Sequence, residues 1–104
     1  MKAYYHCTEL KQLESIMKNG LIPQVGERSA KLGESPGVFL FPSYEDCETA
    51  LYQWFGDEFD ENDKLITLKI TLPDDFPLED SVEYEKISRQ VIPAEFIELY
   101  KLEF

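Results

Sequence analysis

The chain has 104 residues, 43% of them hydrophobic and 13% aromatic, which is enough for one hydrophobic core and too little for two. Twenty-one acidic against ten basic residues give a formal net charge of -11. That field repels phosphate backbones and argues against nucleic acid as a partner, while it suits a basic protein.

One histidine and two cysteines, with no C-x-x-C, provide no zinc set. Cys7 and Cys47 are able to pair but do not amount to a disulfide framework. The first residues hold no long apolar run, so neither a signal peptide nor a membrane span is expected, and a cytoplasmic protein is the default.

Residues 3 to 7 are dense in aromatic and apolar side chains and predict a central strand. Thr8 then reads as the N-cap of a helix over Glu9 to Asn19. Leu10, Leu13, Ile16 and Met17 recur at helical spacing as one buried stripe, and Gly20 closes the helix so that Leu21 and Ile22 tuck back. From Pro23 to Pro36 the pattern is polar and broken by glycines, which predicts a long connection carrying Arg28 and Ser29.

Gly37 to Phe41 is the clearest buried strand. Pro42 ends it, and Ser43 caps a helix from Tyr44 to about Phe55 with Cys47, Ala50, Leu51, Trp54 and Phe55 on its inner face. Asp57 to Asp63 forms an acidic turn. Leu65 to Ile70 is a third strand, which the prolines between Pro73 and Pro77 interrupt. A shorter strand crosses Val82 to Ile87, Ile92 to Glu95 makes a turn, and Phe96 to Glu103 alternates as a last strand. The whole predicts a single α+β domain over residues 1–104, with two main helices on a mixed or largely antiparallel sheet.

Several pieces of this order resemble the ADP-ribosyltransferase superfamily, in particular its small prokaryotic members and the related RNA 2'-phosphotransferases. They are Tyr5-His6-Cys7-Thr8, Leu13-x-x-Ile16-x-x-x-Gly20-Leu21-x-Pro23, Gly37-Val38-Phe39-Leu40-Phe41, and Glu83-Tyr84-Glu85 ahead of Ile92-Pro93-x-x-Phe96-Ile97. The resemblance implies a split sheet with NAD bound in the cleft between its halves. It implies that His6, with Thr8 beside it, positions a ribose through its hydroxyls, and that Phe41, Ser43 and Tyr44 occupy the neighbourhood that shapes the nicotinamide pocket. It also implies that Glu83 or Glu85 stabilises the cation formed as nicotinamide leaves, with ADP-ribose passing to a protein side chain. Phosphotransfer to RNA is poorly matched, because Arg28 and Arg89 are the only arginines.

Each of these residues has a plainer reading beside the functional one. His6 is either a ribose ligand or a core histidine bonded to a carbonyl. Arg28 either grips a pyrophosphate or pairs with a surface carboxylate. Glu83 and Glu85 are two residues apart and so share one face of a strand, which leaves the choice between them open, and either one also serves as edge protection. The rival function is a non-catalytic inhibitor or regulator, which would use Asp57 to Asp63 with Asp74, Asp75, Glu79 and Asp80 against a basic partner.

Overall fold

The computed structural model describes residues 1–23, 37–53, 64–80 and 85–103. Strand β1 (Lys2–Glu9) leads through a 3-10 turn (Leu10–Gln12) into helix α1 (Leu13–Asn19). Strand β2 (Val38–Leu40) precedes helix α2 (Tyr44–Gln53), followed by β3 (Leu65–Leu72), β4 (Glu79–Asp80) and β5 (Lys86–Ser88). A second 3-10 turn (Ala94–Phe96) leads into β6 (Ile97–Leu102).

The strands form two antiparallel sheets, in the orders β1-β3-β6 and β2-β5-β4. The radius of gyration, 12.8 Å, is close to the ~13 Å of a compact domain of about this length. The architecture is therefore a small α+β fold with the sheet in two halves.

Strand β3 is the centre of the first sheet because it is apolar along one full face. Ile66, Leu68, Ile70 and Leu72 are essentially inaccessible, and each such side chain contributes about 1.5–3 kcal/mol by leaving water. Tyr4 is paired with Ile70 and His6 with Leu68 on the neighbouring strand, so both project to this core face. Ile16 and Leu21 close over it, with Val38 and Leu40 arriving from the second sheet.

Gly20 fixes the turn out of α1. Its φ of 83° lies in the left-handed region, and an added Cβ would stand 2.3 Å from the Ile92 carbonyl oxygen. That close approach lets Leu21 and Ile92 exchange both main-chain hydrogen bonds, each 2.9 Å long.

Several expectations need correction. Thr8 is not a helix cap: β1 runs on to Glu9, and the α-helix begins only at Leu13. The cross-strand partner Ile66 holds Thr8 in extended conformation, and pairing overrides its capping preference. Met17 and Ile22 are 44% and 51% exposed rather than buried, because α1 is too short to wrap a wide stripe. The third strand extends to Leu72, and the last begins at Ile97.

Ser43 does cap α2, its Oγ accepting from the Asp46 N–H at 3.1 Å. The long connection with Arg28 and Ser29, the end of the second helix with Trp54 and Phe55, the acidic turn 57–63, and Glu83 lie outside the described residues.

Candidate functional site

Among the described residues, the two sheets meet at one bridge. Tyr5 on β1 and Phe41, just past β2, exchange two main-chain hydrogen bonds of 2.8 and 2.9 Å. An antiparallel ladder continuing from that pair would set Cys7 opposite Phe39. It does not continue: the Phe39 carbonyl instead accepts a hydrogen bond from His6 Nδ1 at 2.8 Å. The imidazole ring thus takes the place of the next rung, and the sheet divides there.

Two consequences follow from strand geometry. Alternate residues of a strand turn both main-chain groups to the same side, so Cys7 directs its N–H and C=O toward β2, as Tyr5 does. Among the described residues, no hydrogen bond joins either group to β2. A carbonyl only accepts, so Nδ1 of His6 carries the proton, and Nε2 of the neutral ring is left as an acceptor. Burial holds the His6 pKa below its ordinary value of 6.5, and the bond to Phe39 offsets part of that shift.

Glu85 stands on the far side of β2. It immediately precedes Lys86, which pairs with Leu40, and it is only 5% exposed. Continuing that register sets Glu85 opposite Phe41, which bridges Tyr5, so Glu85 lies on the Tyr5 face of the strands and not on the His6 face. Thr8 is half-buried and on the same face of β1 as His6.

Tyr44 is placed elsewhere, which corrects its expected role beside His6. Its ring packs on Tyr5, with centroids 6.3 Å apart, and Tyr5 is on the face of β1 opposite to His6. Its hydroxyl donates to Glu103 Oε1 at 2.9 Å and accepts from Lys101 Nζ at 2.9 Å. The buried Thr67 hydroxyl donates to the same Glu103 oxygen at 2.7 Å. Tyr100 completes an aromatic trio, 5.0 Å from the Tyr5 ring and 5.3 Å from the Tyr44 ring.

This cluster pins the N-terminus of α2 to the C-terminal strand. Desolvation, followed by the bond to Glu103, raises the Tyr44 pKa well above the usual phenol range. Ser43 is likewise committed to its capping bond. No local pattern announced the cluster, since Glu103 lies 59 positions from Tyr44 and 36 from Thr67.

The acidic patch is largely internally compensated where it is described. Asp74 meets the N-terminal ammonium at 3.0 Å, Glu79 meets Arg89 at 2.7 Å, and Asp80 is paired with Lys86. No helix among the described residues is long and apolar enough to cross a membrane. Comparison with known proteins finds no family model, no curated protein and no solved structure that matches the chain.

Proposed function

We propose that this chain is an ADP-ribosyltransferase-like domain that binds NAD or an ADP-ribose derivative in the gap between its two sheets. The observation that carries the reading is the rung that His6 replaces. A ring bonded to the Phe39 carbonyl stops the ladder between the sheets and leaves the Cys7 N–H and C=O without a hydrogen bond to β2 among the described residues; Cys7 is 2% exposed, so a ligand would part the sheets to reach them. A carboxamide, such as that of nicotinamide, presents the complementary acceptor and donor, as another strand would.

Neutral His6 offers Nε2 as an acceptor for a ribose hydroxyl, and Thr8 adds a hydroxyl on the same face. Glu85 is the described member of the glutamate pair. Breaking the bond between nicotinamide and ribose develops positive charge on the sugar. A carboxylate fixed nearby stabilises that charge more in the transition state than in the bound substrate. Transfer of ADP-ribose to a protein side chain is the activity that such an arrangement would support.

The test is nicotinamide release from NAD, measured for the native chain and for Glu85→Gln. The reading expects a loss of about 100-fold or more when the charge is removed. Equal rates would reject Glu85 as the charge-stabilising group. Absence of NAD binding to the native chain would reject the whole reading and favour the acidic regulator with a basic protein partner.

A further inference from the structure

The two thiols are used by nothing described so far. Cys7 and Cys47 are 2% and 1% exposed, and both are free. Cys7 is two residues beyond Tyr5 on the same face of β1, and Cys47 is three residues beyond Tyr44 on α2. The ring contact between Tyr5 and Tyr44 anchors one end of the helix to the strand. From that anchor the chain advances about 6.6 Å along the strand and about 4.5 Å along the helix. Helix α2 packs on β1, both thiols are buried, and Cys7 acts electrostatically on Cys47, which puts the two sulfur-bearing residues near one another in the layer between α2 and β1. The negative Glu103 lies close enough to act on both.

We infer that Cys7 and Cys47 close a reversible disulfide between β1 and α2 when a peroxide is the oxidant. The peroxide oxidises one thiol to a sulfenic acid and is itself reduced, to water if it is hydrogen peroxide. The second thiol then displaces water from the sulfenic sulfur, forming the S–S bond. Two thiols lose two electrons in total, and dithiothreitol returns them. The reaction is slow by construction, because burial and then Glu103 push the Cys7 thiol up to about 12. Thiolate, the reacting form, is therefore scarce near neutral pH.

Cys7 also supplies the main-chain groups that face the gap, so the bond would tie one wall of the proposed site to α2. That effect rests on the proposed function; the bond itself does not.

The experiment treats the reduced full chain with hydrogen peroxide and follows intact mass and non-reducing peptide maps. The expected result is loss of two hydrogens, one peptide pair linking Cys7 to Cys47, and full reversal by dithiothreitol. The rate should rise about tenfold per pH unit, and the thermal midpoint of the linked chain should rise by about 10 °C. Cys47→Ala should abolish both the link and the midpoint shift. Thiols that remain alkylatable after denaturation, oxygen added to either sulfur, or links only between chains would overturn the inference. NAD titration of the reduced chain tests the site separately, so failure of the bond and failure of the site are told apart.

Discussion

Replacing His6 tests the seam through stability alone. His6→Ala removes the donor at 2.8 Å from the Phe39 carbonyl and should cost about 1–3 kcal/mol, the range for stranding a buried acceptor. His6→Asn puts an amide N–H near the position of Nδ1 and should recover much of that loss. The asparagine does not titrate, which isolates the charge on the ring. Burial keeps the folded-state pKa of His6 below 6.5, with the Phe39 bond pulling the other way. The unfolded chain therefore binds the proton first as pH falls.

The contribution of His6 is fully present above about pH 6.5 and is lost as pH drops through the folded-state pKa. The slope in that window is at most about 1.4 kcal/mol per pH unit. Urea unfolding of native chain and His6→Asn across this range gives the difference directly, with the many carboxylates cancelling. Because the chain has one histidine, no other imidazole contributes. A difference that is flat, or that grows as pH falls, would refute the claim that the ring is held neutral by burial.

Gly20→Ala should destabilise by about 2–4 kcal/mol, combining left-handed strain with the forced opening of the Leu21–Ile92 bonds; chemical unfolding measures it. Thr67→Val removes a buried donor to Glu103 and should cost about 1–3 kcal/mol, whereas an unchanged urea midpoint would show the bond to be dispensable. At pH 8 the Cys7 thiol, with its pKa near 12, is roughly one part in ten thousand thiolate. Iodoacetamide should accordingly label the folded chain far more slowly than the unfolded one, and equal rates would contradict its burial.

The strands were legible because their signal is local. Leu65-Ile66-Thr67-Leu68-Lys69-Ile70 carries its own strand propensity and burial, and Ser43 caps its helix through a side chain three residues from its partner. Thr8 misled for a related reason: its local preference is for a cap, but pairing with Ile66 across the sheet decides its conformation. For His6 the plainer alternative, a histidine bonded to a carbonyl, was legible as one of two readings, and the structure contains that bond. That the ring would bond to Phe39, 33 residues away, depends on how two sheets approach, which periodicity does not encode. The Tyr44–Glu103–Thr67 cluster was hidden by the same sequence distance, and Tyr44 consequently read as a pocket residue. Arg28 and Glu83 lie outside the described residues, so the structure adds nothing to their placement.

The central claim is that a ligand occupies the gap beside His6, and an NMR titration of the full chain with NAD tests it most directly. The account predicts saturable shifts of the Cys7 amide and the His6 ring, with a smaller response at Tyr44 on the opposite face. No shift at millimolar NAD, or shifts confined to Tyr44 and Tyr100, would contradict it.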